Sequence, residues 1–519
     1  MFKIERSNDK EFWHINVRPD NKKSNDFENH TQHSNNMIQA AFLVAGTTIG
    51  GGFLALPTVI APVGFVPSAF ALFLVWCYFI LQSFILVECI VNDYKRKLKT
   101  EDDLYKSNVE NNFDARIDSI GPPSSSSIFS SSTSPSISSI ANSTLGKTGE
   151  NITRFLIMLI IQATLVSQIS RAGTLLYPNQ YAIGCALSAV SIALLVFGPS
   201  KGKGFLWSTQ INSIMLWLFL ASAGWVGVCS VQYLKQSSTI IDWTALYSLK
   251  YQHWNMVPEV IPTFLQLLVY GEIIPVVCNL LNFDVFCIKM SIFGGALLTL
   301  GLQLGWSGLG TLLVPPQLQL GSTIIDPVTV LLNTGGSIRT SLFCLALTAI
   351  LTTILGSYLA LISVYQDWEL TSRFFQSFKN NQKERKDDTS FEIPITADRE
   401  MNESWQNRLS VASIIVMPSL IIASISPTLF LKSIAFAGSY PVVVLFGIIP
   451  SIMAIIQRVR DEKITSKKRA TASKNSIGGS NELLYLMLLL SLGLVGCSLK
   501  KDLTTLIHYM VNTLRSFSI

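Results

Sequence analysis

A chain of 519 residues that is 49% apolar and only 14% charged departs from soluble globular domains, in which about a quarter of residues carry charge. Its eight cysteines form no CxxC pair, and its five histidines fall in predicted tails or loops, which leaves no basis for a metal cluster or a redox motif. No nucleophile–base pair, phosphate loop or nucleic-acid module is present, so composition points away from an enzyme and toward a membrane.

The apolar residues come in eleven blocks, near residues 37–60, 64–91, 152–176, 180–198, 206–230, 257–281, 288–314, 339–364, 409–427, 431–456 and 482–499. Each is of about the 20 residues needed to cross a hydrocarbon core of about 30 Å. With the N-terminus placed in the cytoplasm or stroma, the inside connections hold about 30 Lys and Arg and the outside ones about 6. That asymmetry has the sign that orients membrane proteins. The net charge of +6 is then topogenic and calls for no nucleic-acid partner. The run Arg458, Arg460, Lys463, Lys467, Lys468 and Arg469 reads the same way, with lipid head-group binding as the alternative.

Residues 1–36 are polar, mix acids with bases and lack an apolar h-region, so they are expected to form a cytoplasmic tail and not a signal peptide. From Ser34 to Val87 no Asp, Glu, Lys or Arg occurs. In the middle of the first block stands Gly46-Thr47-Thr48-Ile49-Gly50-Gly51-Gly52. Glycine weakens a helix by about 1 kcal/mol per residue relative to alanine. A broken helix is tolerated at membrane depth only where it lines a cavity enclosed by protein. The half ending near Gly46–Ile49 offers carbonyls to a cation or an ammonium group. The half resuming after Gly50–Gly52 offers N–H groups and a positive dipole end to a carboxylate. The competing reading is close helix packing through small residues.

Glu88, near the end of the second block, is expected at an interface. Residues 92–150 form a long inside connection containing the Ser-rich run from Pro122 to Ser139, which cannot build a core; order is expected to resume over 139–149. Arg171 lies in the outer third of the third block, where it either snorkels or pairs with a carboxylate. The sixth block carries a second interruption, Val269-Tyr270-Gly271-Glu272, between Pro262 and Pro275. Two broken spans five apart point to an inverted-repeat transporter. Glu272, a carboxylate at membrane depth, is a functional candidate: it would neutralise a substrate amine, carry a coupling proton, or cap the break. Glu259 is expected near the interface. Thr352 and Thr353 are adjacent hydroxyls in the eighth block, suited to a sodium ion or to ordinary bonding within their own helix. Residues 365–408 form a second polar inside connection.

The stretch from Phe42 to Pro57, with its GTTIGGG core, resembles the first span of the tryptophan/tyrosine permeases of the hydroxy and aromatic amino acid permease family. The sixth-span stretch Ile261-Pro262 through Tyr270-Gly271-Glu272-Ile273-Ile274-Pro275 is similar, and closer to the plant and algal branch. Further similarity lies at Ile169–Gly173, Thr352–Gly356 and Phe436–Tyr440. The resemblance implies an all-α integral membrane protein with eleven transmembrane helices. These would form a LeuT-like 5+5 inverted repeat with broken helices 1 and 6, plus one extra C-terminal helix.

On that scheme residues 1–36 are the tail, 37–230 the first repeat with the loop 92–150, and 231–456 the second repeat with the loop 365–408. Residues 457–519 are the basic loop, the eleventh helix and a short outside tail. The implied activity is cation-coupled uptake of amino acids, most of all tyrosine or tryptophan, with sodium or a proton as coupling ion and no cofactor. Alternatives are a neutral or hydroxy amino acid carrier, or a sensor that binds amino acid and transports little.

The candidate substrate site is Thr47, Thr48, Ile49, Gly50, Gly51, Gly52, Val269, Tyr270, Gly271 and Glu272, read from the two breaks; within it the resemblance implies Ile49 to Gly52 as the carboxylate site. The implied cation site is Gly46 and Ile49 with Thr352 and Thr353. Two departures stand out: Gly271 occupies a position that is often His in relatives, and the fifth span lacks a basic residue found in proton-coupled bacterial ones. The expected partners are the amino acid and the lipid bilayer, in a monomer or weak homo-oligomer. The plasma membrane and a plastid envelope are both open as hosts.

Overall fold

Lipid offers no partner to a backbone N–H or C=O, so apolar blocks of this length have to become helix. The computed structural model describes residues 21–111, 136–191, 204–236, 244–313, 327–333, 336–367, 405–467 and 478–517, and among these there is no strand. The helices in chain order are α1 (Asn21–Thr48), α2 (Leu56–Ile60), α3 (Phe65–Asn111), α4 (Ile137–Leu176), α5 (Tyr181–Val190), α6 (Gly204–Gln236), α7 (Thr244–Tyr247) and α8 (Val257–Leu267). They continue with α9 (Ile274–Leu280), α10 (Val285–Leu313), α11 (Pro327–Asn333), α12 (Gly336–Asp367), α13 (Trp405–Ala423), α14 (Leu429–Ala437), α15 (Ile449–Lys467) and α16 (Asn481–Phe517).

Among the described residues, 7 helical stretches are long and apolar enough to cross a membrane, or 8 if the bent pair Asn35–Thr48 and Gly51–Ile60 is one span. Shorter apolar helices, Tyr181–Val190, Trp217–Ser230 and Ala412–Ala423, fall in the fourth, fifth and ninth apolar blocks. These findings fit an integral, multi-pass membrane protein. Most of the Ser-rich run, most of the loop 365–408, residues 192–203 and the basic segment 468–477 lie outside the described residues. Order resumes at Ile137: Ser136 accepts from the Ser139 N–H as a helix cap, and Gly146 (φ 74) kinks α4 before it continues to Leu176.

The two ends of the bundle are held differently. At one end the turn after α2 meets the segment before α8: the His253 N–H donates to the Val63 carbonyl (2.8 Å) and the Val66 N–H to Gln252 Oε1 (3.0 Å). There the Tyr181 hydroxyl donates to the Ala423 carbonyl at 2.6 Å. Arg171 neither snorkels nor lies open: it is 5% exposed, and its guanidinium sits 5.0 Å from the Phe430 ring centroid, a cation–π arrangement.

At the other end Glu88 is enclosed by protein. This carboxylate is only 3% exposed. It takes two hydrogen bonds from Arg458, Nε to Oε1 at 2.7 Å and Nη2 to Oε2 at 2.8 Å, and a third from the Gly478 N–H at 2.6 Å. Arg458 also donates to Asn481 Oδ1 at 2.7 Å. A buried carboxylate demands such partners, and here they tie α3 to α15 and to the segment leading into α16.

Candidate functional site

The helical ladder of α1 ends with the Ile49 N–H donating to the Ala45 carbonyl at 3.1 Å. A helix that ends there leaves its last four carbonyls, those of Gly46, Thr47, Thr48 and Ile49, without helical partners. Gly50 is extended (φ −127, ψ −166), a 3₁₀ turn runs from Gly51 to Ala55, and the chain has bent by 50°. Pro57 in the first turn of α2 costs no hydrogen bond, since an N–H there has no helical acceptor. Side chains of the first half turn back on their own helix: Thr47 Oγ1 donates to the Val44 carbonyl (2.9 Å) and Thr48 Oγ1 lies 2.8 Å from the Ala45 carbonyl. Thr48 Oγ1 also meets Thr299 Oγ1 of α10 at 2.8 Å.

Three neighbouring helices close on the glycines. The Gly51 N–H donates to Thr353 Oγ1 of α12 at 2.7 Å, and that hydroxyl in turn donates to the Ala349 carbonyl at 2.8 Å. A Cβ added at Gly50 would stand 2.9 Å from the same Thr353 oxygen, and one at Gly52 2.6 Å from Leu267 Cδ2 of α8. A Cβ at Gly51 would overlap the amide of Gln168 on α4. A side chain at Gly51 is therefore admitted only if the Gln168 amide, the far end of a flexible side chain, moves aside. By contrast, a Cβ at Gly46 would meet nothing within 4 Å. Packing and access thus divide the run: Gly50–Gly52 are the packed part, Gly46 the open part.

The second break begins where the Leu268 N–H makes the last bond of α8, to the Phe264 carbonyl at 3.0 Å. Leu268 (φ −103, ψ 0) and Tyr270 (φ −140, ψ 14) leave the helical region. A 3₁₀ turn over Gly271–Ile273 then leads into α9, with Pro275 in its first turn. Gln303 Nε2 of α10 caps the freed Leu267 carbonyl at 2.9 Å. The Phe446 ring occupies the place that a side chain at Gly271 would need. That is the physical counterpart of the glycine at this position: the bulk is supplied from the stretch Val444–Ile448. The turn Gly271–Ile273 lies against α1, so the two breaks are neighbours.

A sequence profile settles the lineage, matching residues 33–105 and 127–497 to the tryptophan/tyrosine permease family. The chain belongs to that family. No curated protein matches it individually. Membership points to amino acid transport rather than to an enzyme, and the matched range contains both breaks.

The permease brings some of the expected residues together and leaves others apart. Thr353 reaches the first break; Thr352 instead donates to the Thr348 carbonyl at 2.7 Å within its own helix. Val269 is half-buried, Tyr270 is 3% exposed, and Glu272 is exposed with no hydrogen bond or ion pair to a described residue. Sequence reading passed over Gln168, Thr299, Gln303, Trp306 and Phe446. The side-chain oxygens of Gln168, Gln303, Gln266 and Tyr270 and the indole nitrogen of Trp306 are buried without a hydrogen-bond partner among the described residues. Trp306 stacks on Phe53, beside the first break, with centroids 5.2 Å apart. Each such group costs about 1–3 kcal/mol when left unpaired, and native proteins hold few of them. Other such groups lie away from the breaks, Trp76, Ser230 and Gln457 among them; Gln168 and Gln303 stand out because they also touch the breaks directly, at Gly51 and Leu267. The signal was available as uncharged amides in the middle of apolar blocks.

Proposed function

We propose that this permease is a secondary active transporter that carries an aromatic amino acid, tyrosine or tryptophan, down a sodium or proton gradient by alternating access. The observation that carries the reading is the pair of adjacent helix breaks, with four carbonyls released at Gly46–Ile49 and unpaired buried polar groups around them. Released carbonyls suit a sodium ion or a substrate ammonium, and the N–H groups at Gly50 and Gly52 suit a carboxylate. The Gly51 N–H is engaged by Thr353, so on this reading that hydroxyl positions the break, and the cation shell rests more on the carbonyls than on Thr352.

The proposal takes the eleven apolar blocks as eleven spans, five and five in inverted repeat with one added. The bundle containing both breaks would rock against the remaining scaffold. It places the N-terminus on the side with the basic connections, and the chain nearest the plant and algal branch. Uptake of labelled tyrosine, tryptophan and a small neutral amino acid into proteoliposomes, under an imposed sodium gradient or an imposed proton gradient, tests it. Accumulation of the aromatic substrates under one gradient is expected. Binding without accumulation under either gradient would overturn the transporter reading in favour of a sensor.

A further inference from the structure

At the end of the bundle where α3, α4 and α15 leave the apolar region lies a cavity of about 360 Å³, in the range of small-ligand sites, about 300–1,000 Å³. It is lined by Asp93, Arg96, Lys97, Thr100, Ser143 and Arg460. One cation of this lining is left over once the ion pairs are assigned. Asp93, 4% exposed, is held by Ser143 Oγ at 2.7 Å and Lys97 Nζ at 2.9 Å. Arg96 pairs with Asp461 at 2.9 Å. Arg460 makes no hydrogen bond or ion pair with a described residue. Arg96 and Lys97 are thus each paired with an aspartate, and the Ser143 and Thr100 hydroxyls donate to Asp93 and to the Arg96 carbonyl, which leaves Arg460 as the lining cation with no partner among the described residues.

We infer that this cavity is a binding site for a phosphate group, supplied by the head group of an anionic lipid. Guanidinium and ammonium donors with hydroxyls are the set that takes up phosphate oxygens. Basic pockets between spans at this depth are where lipid head groups bind. The Glu88–Arg458 pair, two residues from Arg460 in the chain, holds α15 against α3 and so fixes the walls without occupying the cavity.

The test uses the purified full-length protein in neutral detergent, titrated with short-chain phosphatidic acid, short-chain phosphatidylcholine and inorganic phosphate while the thermal unfolding midpoint is followed. Phosphatidic acid is expected to raise the midpoint in a saturable way, and phosphatidylcholine to leave it unmoved. Arg460→Gln is expected to weaken phosphatidic acid binding about tenfold, the loss of one charge-assisted bond. Its unliganded midpoint should stay unchanged, because Arg460 is exposed. Thr100→Val, on a second helix, should weaken binding by about threefold. Inorganic phosphate binding as tightly as phosphatidic acid, and losing affinity in Arg460→Gln, would uphold the phosphate site with a soluble occupant. Equal effects of the two lipids, or unchanged affinity in Arg460→Gln, would overturn the inference.

Discussion

The first break turns the chain by 50° at Gly50, whereas the second keeps both halves within one stretch, Leu249–Leu280. The first is built from glycines and leaves its last four carbonyls without helical partners. The second is flanked by Pro262 and Pro275, has its Leu267 carbonyl capped by Gln303, and is plugged by Phe446 at Gly271. A break rich in glycine admits neighbouring polar side chains to the main chain; a break held by proline and an aromatic plug is set in place from outside. On the function proposed above, the first break would face the ligand and the second would shape the wall beside it.

The strongest way to break this comparison is to fill the first break. Gly51→Leu is expected to abolish amino acid binding and uptake while the protein still inserts, measured as ligand binding per molecule of surface-labelled protein. Gly51→Ala should also impair uptake, and Gln168→Ala added to it should restore much of the loss, because the two side chains compete for one place. Full uptake by Gly51→Leu would remove the first break from the site.

At the second break, Gly271→Ala collides with Phe446. Overpacking of this kind costs about 1–3 kcal/mol, to be read from the unfolding midpoint. Phe446→Ala should rescue Gly271→Ala and shift preference toward larger substrates. Failure of the double variant to recover would detach Phe446 from that role.

Thr353→Val leaves the Gly51 N–H without its acceptor, at about 1–3 kcal/mol, and Thr353→Ser should stay close to the parent. Thr352→Val, which loses only a bond to its own helix, should cost under about 0.5 kcal/mol. Equal damage to sodium-dependent uptake from both valine variants would reinstate the two-threonine cation shell. The smallest stability effect belongs to Glu272→Gln, under about 0.5 kcal/mol. If Glu272 carries the coupling proton, uptake that rises as pH falls in the parent becomes flat in this variant; an unchanged profile would leave Glu272 outside the coupling.

Much of this was written in the sequence because membrane helices obey few rules. Blocks of about 20 apolar residues become helix, and glycine clusters interrupt them. The run at 46–52 thus announced its break, and Gly271 announced a second. What the sequence withheld was what lies across from each residue. Glu88 looks interfacial by its position near the end of a block, yet Arg458, 370 residues later in the chain, makes it a buried ion pair. Gln168 and Gln303 carry no charge and so escape a search for charges in apolar blocks. Gly50–Gly52 read as a cradle for a ligand, and their contacts with Thr353, Gln168 and Leu267 show that helix packing shares them.

The Glu88 ion pair also sets a schedule for biosynthesis. At about 5–20 residues per second, Arg458 leaves the ribosome roughly 20–70 s after Glu88, and Gly478 later still. Until then the Glu88 carboxylate lacks the guanidinium that pairs with it in the finished protein. Loss of that partner costs a buried pair about 3–5 kcal/mol, so a chain truncated before Arg458 keeps its second helix in an unfinished state.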